Sequence, residues 1–265
     1  MKNLVILLTF FNIYSFSYSQ SNNYYKVYYE KYFDINQEKF SEYFSNVQNK
    51  DVVNRNKEVF TEIEEFELLF NENESIFSKI AKLNNSQTMK DVIEANGDRI
   101  VFNNSSGLRL YRNILQNFTL IPSENNYNIQ DSLYNFNWEI NYPETKEILG
   151  YKVNKATAKG LENDTTIIAW YTTDLPYQQG PYLYWGLPGL ILKIDVIVND
   201  NFGLAYFINS YHFEAKKIEP LNLKSTESFE KIKKMRRMEK TEYEKKKELQ
   251  ESKVKEYNNQ GVDKE

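Results

Sequence analysis

The chain has a single histidine, and this limits the chemistry that its side chains can perform. A Ser-His-Asp nucleophile would have to use His212 as its base, and no Gly-x-Ser-x-Gly motif accompanies it. Zinc sites use several His, Cys or carboxylate ligands at defined spacings, and the chain has no Cys and no second His. We therefore predict no metal site and no cofactor. His212, between Tyr211 and Phe213, is interpreted as a residue of a sheet surface or sheet edge.

Carboxylates form the second group that could do chemistry. Alternation along a strand would put Glu62 and Glu64 on one face, and Glu65 and Glu67 on the other. A glycosidase needs two carboxylates at a defined separation across a cleft, and spacing in the sequence does not establish such a pair. We interpret the cluster as a solvated strand edge and keep a carboxylate-dependent hydrolase as an alternative.

Aromatic rings form the third group, and they lie in a long irregular segment. About seventeen residues between Thr173 and Gly189 show no helix or strand period, and loops of this length are often functional. The candidate ligand-binding residues are Tyr177, Tyr182, Tyr184 and Trp185, together with Trp170 on the preceding strand. Their rings either line a mouth for a ligand or plug one end of a sheet as core.

Backbone-shaping residues accompany these rings, although the chain has only 9 Gly and 6 Pro. Gly180-Pro181 bends the segment, and Gly186-Leu187-Pro188-Gly189-Leu190 ends it. Leu187-Pro188-Gly189-Leu190 fits a type II turn, because Pro presets its φ and Gly189 would supply the positive φ. The turn leads into a strand, Leu190–Val198, whose alternate apolar side chains share one face.

The elements that would position these groups are mostly strands joined by short turns. Tyr24–Phe33, Glu147–Lys159, Thr165–Thr173, Leu190–Val198 and Phe202–Phe213 alternate as strands do. Further strands are predicted at Val59–Phe70, Arg99–Phe102, Leu108–Arg112 and Phe118–Ile121. Residues 36–50 predict a short helix, and Ser225 to about Asn258 a long charged one with Ser225 or Thr226 as its N-cap. The predicted fold is mainly β (α+β), with a large curved antiparallel sheet or half-open barrel.

The N-terminus predicts export. Lys2, the apolar run Leu4–Phe16 and Ser17-Tyr18-Ser19 form a signal peptide over residues 1–19. A single membrane anchor is the weaker alternative, because the run is short and Asn12 interrupts it. We expect an antiparallel β domain over residues 20–223 and a charged helical tail with a frayed end over 224–265. No transmembrane span is expected in the mature chain.

Charge is distributed unevenly, and it excludes one class of partner. Through Leu223 the chain has 20 Lys and Arg against 27 Asp and Glu, whereas from Lys224 onward it has 13 against 10. An acidic body argues against nucleic-acid binding, which uses a basic patch. The alternating charges of the tail are typical of a solvated helix face.

Several motifs occur together in a recognisable order. They are Ala169-Trp170-Tyr171-Thr172, Leu175-Pro176, Gly180-Pro181 and Gly186-Leu187-Pro188-Gly189-Leu190-Ile191, preceded by Trp138, Lys146, Gly150-Tyr151 and Lys155-Ala156. This set resembles the GLPGLI family of exported proteins from Bacteroidota-type Gram-negative bacteria, strongly over Trp138–Phe213 and weakly over Tyr24–Phe70. Val153 stands where many members have Cys, so a Cys-dependent role is excluded. The resemblance implies an exported protein and brings no established activity.

Three hypotheses for function follow. The first is a non-catalytic periplasmic or outer-membrane-associated protein, or a secreted one, that binds a lipid, a peptide or an envelope protein at an aromatic mouth. The second is a structural component that docks onto an envelope complex through its C-terminal helix. The third is the carboxylate-dependent hydrolase. A cavity near Trp185, an exposed apolar stripe on residues 229–238, or two close buried acids would favour the first, second or third hypothesis respectively.

Overall fold

The computed structural model describes residues 24–81, 91–95, 98–102, 109–123, 127–160, 165–199, 206–221 and 227–260. The predicted signal peptide lies outside these residues. So do Ser225 and Thr226, the predicted N-cap residues of the C-terminal helix.

Strands dominate the described part of the chain. They are β1 (Tyr24–Ile35), β2 (Glu64–Phe70), β3 (Glu74–Lys79), β4 (Asp91–Ala95), β5 (Asp98–Phe102), β6 (Arg109–Asn113), β7 (Phe118–Pro122), β8 (Asn128–Ser132), β9 (Glu139–Ile148), β10 (Tyr151–Lys159), β11 (Thr165–Thr172), β12 (Leu190–Val198), β13 (Ile208–Leu221) and β14 (Arg237–Glu239). The helices are α1 (Gln37–Tyr43), α2 (Lys50–Thr61), α3 (Glu227–Lys233) and α4 (Lys240–Gln260).

Twelve strands form one open sheet in the order β14-β8-β7-β6-β3-β2-β1-β13-β12-β11-β10-β9. All neighbours are antiparallel except β14 and β8, which are parallel. Strands β4 and β5 pair separately. The sheet is not closed, since β14 and β9 are its two edges. The prediction of a mainly β fold built on one large sheet is confirmed.

The predicted strand Glu147–Lys159 is a hairpin, which corrects the sequence prediction. Leu149 and Gly150 join β9 to β10 with φ angles of 54° and 79°. Two consecutive positive φ angles are characteristic of a type I′ turn, whose usual first residue is Asn, Asp or Gly. Because Leu149 is not one of these residues, the sequence did not predict the turn. The last strand also differs, because β13 extends from Ile208 to Leu221, beyond the predicted end at Phe213, while Phe202 lies outside the described residues.

Two helices, rather than one, follow β1. Asn36 caps α1 by accepting a hydrogen bond from the Lys39 N–H, and Asn49 caps α2 in the same way from Asp51. Helix α2 continues to Thr61, so the strand predicted to start at Val59 begins only at Glu64. Four buried rings hold these helices against the end of the sheet: Phe40, Phe44, Phe60 and Phe207.

The main core lies on one face of the sheet and contains the side chains that the alternation predicted. Leu190, Leu192, Ile194 and Val196 of β12 are buried there with Val27 and Tyr29 of β1. On the same strands Lys193, Asp195, Tyr28 and Tyr32 are only partly buried and lie on the opposite face, which we call the outer face. Where β1 and β12 cross the sheet, its inner face is therefore apolar and its outer face is polar.

The C-terminal segment is not one helix, as the sequence predicted, but α3, β14 and α4. Phe229 and Ile232 of α3 are fully buried against Tyr24, Tyr111 and neighbouring residues of the sheet. Met238 is buried on β14, which pairs with β8. The segment breaks into three elements because the side chains of Phe229, Ile232 and Met238 become buried only by packing on the sheet. Helix α4 is exposed along nearly all of residues 240–255.

Candidate functional site

The long segment 173–189, which we call the motif loop, folds onto the inner face of the sheet. Its strand-side anchor is a bulge in β12, where Tyr171 pairs with Ile191 and Trp170 with Lys193. The bulge turns both Ile191 and Leu192 into the core. The Ile191 N–H donates to the Gln179 carbonyl at 3.0 Å, and the Ile191 carbonyl accepts from the Tyr29 hydroxyl at 2.6 Å. The loop and the sheet therefore share the hydrogen bonds of one bulged residue.

The turn at the end of the motif loop is not the predicted type II turn. The Gly189 N–H donates to the Leu187 carbonyl at 2.7 Å, which is a three-residue γ-turn around Pro188. Positive φ occurs at Gly186 (92°) and not at Gly189. Gly189 is required for another reason, since a Cβ there would lie 2.0 Å from the Thr172 carbonyl oxygen. The glycine permits close approach of two backbones.

The other motif residues also have packing roles. Leu187 and Leu190 are fully buried, and Pro181 is buried as well. A Cβ on Gly180 would lie 2.7 Å from the Tyr184 carbonyl and 2.9 Å from the Ile191 side chain. The concentration of Gly and Pro at one place therefore lets an irregular loop pack as tightly as a strand.

A buried arginine holds the centre of the motif loop. Arg112 on β6 is 1% exposed. Its guanidinium donates to the carbonyl oxygens of Tyr182 and Gly180 and to the Gln179 side-chain oxygen. No carboxylate among the described residues forms an ion pair with Arg112. Burial disfavours the cation and lowers the pKa of Arg112 to about 9, so it stays charged at neutral pH.

The predicted binding rings differ in how much of each remains available. Tyr184 is buried, and its hydroxyl lies 3.0 Å from that of Tyr211. Tyr182 is half-buried, and its ring stacks on Phe213 at 6.3 Å between centroids. Tyr177 is half-buried between Tyr25 and Phe70. Tyr184 is thus placed as core, whereas Tyr177 and Tyr182 keep part of each ring at the surface.

Trp185 belongs to a group of rings that we call the aromatic rim: Tyr134, Phe136, Trp138 and Trp185. The Trp185 indole N–H donates to the Tyr134 carbonyl at 2.8 Å, and the Trp138 indole N–H donates to the Trp185 carbonyl at 2.9 Å. Phe136 lies 5.2 Å from Trp138 and 5.5 Å from Tyr184. Tyr134 is 49% exposed, while Trp138 and Trp185 are half-buried. The sequence predicted only Trp185, because the other three rings lie on a different segment.

The structure does not bring Trp170 to the motif loop. Trp170 alternates with the buried residues Ala169 and Tyr171 and pairs laterally with Lys193, so it lies on the outer face. The Lys146 ammonium sits 3.8 Å above its ring. Burial and the nearby Lys193 lower the pKa of Lys146. Trp170 therefore forms part of a polar outer cluster rather than a mouth.

The outer face holds polar residues that the sequence did not single out. Asp195 and Ser210 both contact His212, on a face that otherwise carries Lys193 and Glu214. Their proximity follows from the register of β12 against β13, in which Asp195 pairs with His212. No spacing in the sequence reveals that register.

Two members of the glutamate cluster, Glu64 and Glu67, form ion pairs with lysines. Glu64 accepts from Lys31 at 2.9 Å and also pairs with Lys79, while Glu67 pairs with Lys26 at 2.8 Å. Burial opposes ionisation of Glu64, but the charges and hydrogen bonds of Lys31 and Lys79 outweigh it and lower its pKa. Glu62 lies outside β2, at the end of α2. Glu64 and Glu67 thus pair with lysines rather than with each other.

Two other kinds of site are absent from the described residues. No group of three His, Cys, Asp or Glu side chains there is arranged to hold a metal ion. In the same residues, no helix combines the length and apolar character that a membrane span requires.

Residues 159–193 match a family described as proteins of unknown function (Porph_ging). The matched segment contains the whole of β11, the whole motif loop and the start of β12. It lies inside the region that resembles the GLPGLI family, and it is consistent with a Bacteroidota-type family. No curated protein has a sequence that matches this chain significantly.

Solved structures with a similar arrangement are distant. Two structures of PNGF-II match with TM-scores of 0.48 and 0.49, at 19% and 17% identity, over 82% and 84% of this chain. The chain spans about a third of the PNGF-II chains, 31% and 33% of their length. A LolA superfamily protein from Nitrosomonas europaea matches with a TM-score of 0.30 and 7% identity, over 77% of this chain and 88% of that protein.

Proposed function

We propose that this chain is an exported, envelope-associated binding protein. It holds an apolar ligand, such as a lipid, or an apolar segment of a partner protein against the aromatic rim. The binding requires no catalysis. The observation that carries the proposal is the pair of indole hydrogen bonds that fix Trp138 and Trp185 while leaving both rings partly exposed.

Aromatic rings that are already held in place favour binding, because less conformational entropy is lost when a ligand binds. Ordering a flexible side chain on binding costs about 0.5–1.5 kcal/mol, and a ring that is already held avoids this cost. Trp and Tyr also supply the largest contributions at binding surfaces, because they combine apolar area with a polar atom. In the rim the polar atoms of both tryptophans are already satisfied, so the exposed parts of the rings are apolar. This surface suits a ligand that offers apolar contacts.

The export part of the proposal is supported by the sequence. The apolar run before Ser17-Tyr18-Ser19 is typical of a cleaved secretory leader. N-terminal sequencing of protein taken from the envelope fraction should give a chain that begins at or near Gln20. Intact Met1 on protein recovered from the cytosol would contradict export.

The second hypothesis, docking through the C-terminal helix, receives no comparable support. It depended on an exposed apolar stripe over residues 229–238. Phe229, Ile232 and Met238 are instead buried against the sheet. The third hypothesis required two close buried acids, whereas Glu64 and Glu67 of β2 pair with lysines.

A fluorescence titration with N-phenylnaphthylamine, an apolar dye, tests binding at the rim. We expect the wild-type protein to enhance the dye fluorescence saturably. Trp185→Ala should weaken dye binding at least tenfold, because a central aromatic contact contributes about 2 kcal/mol or more and 1.4 kcal/mol corresponds to tenfold. Trp170→Ala is the matched control, since it removes the same side chain from the outer face and should leave binding unchanged.

Stability measurements separate lost binding from lost folding. Trp185 is half-buried, so Trp185→Ala should lower the free energy of unfolding by less than about 2 kcal/mol. Tyr184→Ala should cost about 3–5 kcal/mol, as expected for a buried aromatic side chain. Equal dye affinity in wild type and Trp185→Ala, with both proteins folded, would refute binding at the rim.

A further inference from the structure

Three side chains on the outer face form a hydrogen-bonded series. Ser210 Oγ lies 2.8 Å from His212 Nε2, and His212 Nδ1 lies 2.6 Å from Asp195 Oδ1. Ser210 and His212 are two residues apart on β13 and so project from the same face, and Asp195 is the cross-strand partner of His212. The atoms are linked in the order that an activated serine requires: hydroxyl, base and orienting carboxylate.

The surroundings determine the ionisation of Asp195 and the position of the proton on the His212 ring. Burial opposes ionisation of Asp195, but the hydrogen bond from His212 and the charge of Lys193 outweigh it and lower the pKa of Asp195. The ionised carboxylate can only accept, so His212 Nδ1 is the protonated nitrogen. In the neutral imidazole Nε2 is then an acceptor and takes the hydrogen bond of the Ser210 hydroxyl.

Packing fixes the imidazole in this orientation. The Tyr32 ring stacks on it with 4.8 Å between centroids and an interplanar angle of 25°. The Tyr32 hydroxyl in turn donates to Glu214 at 3.1 Å. Two hydrogen bonds and one stacked ring therefore hold His212, which is the requirement for a positioned base.

We propose that Ser210 is an activated nucleophile that accepts an acyl group from an ester. Its oxygen forms a bond to the ester carbonyl carbon while its proton passes to His212 Nε2. The bond from that carbon to the leaving oxygen breaks, and this oxygen takes the proton from His212 and departs as an alcohol or, from an aryl ester, as a phenol. Ser210 is left as an ester. This site is separate from the aromatic rim, because it lies on the opposite face of the sheet.

The sheet also determines which esters react. Ser210 is flanked by Asp34 on β1 and by Ile197 on β12, so the backbone N–H groups around it belong to the strand ladder rather than to an oxyanion hole. An oxyanion-hole donor accelerates acyl transfer by about 10²–10³-fold, and an ester that reacts with Ser210 does so without this acceleration. Ser210 also retains only 8% of its surface. The substrate class is therefore a small acyl group on a good leaving group, such as an aryl ester.

Reaction of the full chain with p-nitrophenyl acetate tests the proposal. We expect release of p-nitrophenolate together with one acetyl group on the peptide that contains Ser210, identified by mass spectrometry. Ser210→Ala should abolish this adduct. His212→Gln and Asp195→Asn should slow its formation, by about 10²-fold or more for His212 because general-base catalysis contributes about 10²–10⁴. Ser132→Ala removes an exposed serine at the end of β8 and should change nothing.

Acetyl groups spread over lysines with none on Ser210 would overturn the proposal, and this result comes from the wild-type protein without any variant. An unchanged rate of Ser210 acetylation in folded His212→Gln would overturn it as well. Circular dichroism of each variant shows whether the fold is retained, and Ser210→Ala removes too little volume to disturb the sheet.

Discussion

Arg112 donates a hydrogen bond to the backbone carbonyl of Tyr182, a residue with a φ angle of 49°. Positive φ is uncommon for a bulky side chain and costs about 1–2 kcal/mol. The turn from Pro181 to Tyr184, closed by a 3.0 Å hydrogen bond, requires this conformation. A buried cation on one strand thus stabilises a strained turn in a loop some seventy residues later, and the turn directs Tyr184 inward and Trp185 toward the rim.

Replacing the buried arginine should loosen the motif loop. Arg112→Met removes the donors to the Tyr182 carbonyl and the Gln179 side chain, and each buried acceptor left unpaired costs about 1–3 kcal/mol. We expect a lower urea midpoint and faster amide exchange in the loop. Arg109→Met, a change at a less buried position on the same strand, is the control. Equal midpoints for the two variants would show that Arg112 does not hold the loop.

Pro188 and Gly189, the second and third residues of the γ-turn, should differ in how strongly their replacement lowers stability. Gly189→Ala places a Cβ 2.0 Å from the Thr172 carbonyl, and overpacking of this kind costs about 1–3 kcal/mol or more. Pro188 is exposed, so Pro188→Ala should lower the free energy of unfolding by only about 0.4–1 kcal/mol, because alanine gives the unfolded chain more conformational entropy. Urea midpoints measure both. A larger effect for Pro188 would contradict the packing that the structure assigns to Gly189.

The C-terminal segment should contain one essential and one dispensable part. Removing residues 240–265 deletes an exposed helix and should shift the thermal midpoint by less than about 5 °C, near the 2–4 °C expected per kcal/mol at this size. Phe229→Ala should cost about 3–5 kcal/mol, because its ring is fully buried near Tyr24 and Tyr111. A large loss on truncation, with little effect of Phe229→Ala, would reverse these roles.

Acid should destabilise the protein through its ion-paired carboxylates. The pKa of Glu64 is lowered in the folded chain, so its stabilisation is fully present above the unfolded value of about 4 and is lost as the pH falls through the folded value. The free energy of unfolding should therefore fall between about pH 5 and pH 3. Glu64→Gln should flatten this dependence, whereas Glu65→Gln, at an exposed neighbour, should not. Parallel pH curves for wild type and Glu64→Gln would contradict the prediction.

The sequence predicts elements well where one local pattern decides the outcome. Leu192–Val196 alternates so strongly that only one face can be buried, and β12 follows this alternation, whereas the bulge that also buries Ile191 was not predicted. Prediction fails where a residue departs from its usual preference: Leu149 takes positive φ in a hairpin turn, and the apolar residues of α3 need the sheet to be buried.

The candidate sites depend more on contacts between distant parts of the chain. Trp185 could be singled out from its loop, but Tyr134 and Trp138 meet it only in the folded protein. Arg112 can be buried because its hydrogen bonds are accepted by Gln179, Gly180 and Tyr182, which lie 67 to 70 residues away in the chain. Likewise, Ser210 and Asp195 become partners of His212 only through the register of two strands.

Native mass spectrometry of the protein, purified from the envelope fraction without detergent, tests binding at the aromatic rim most directly. We expect the wild-type protein and Trp170→Ala to show an increase in mass from a bound apolar ligand, which organic extraction removes. Folded Trp185→Ala should not show this increase. If all three proteins are free of ligand, or if Trp185→Ala retains the same mass as the wild type, the rim is not the binding site that we propose.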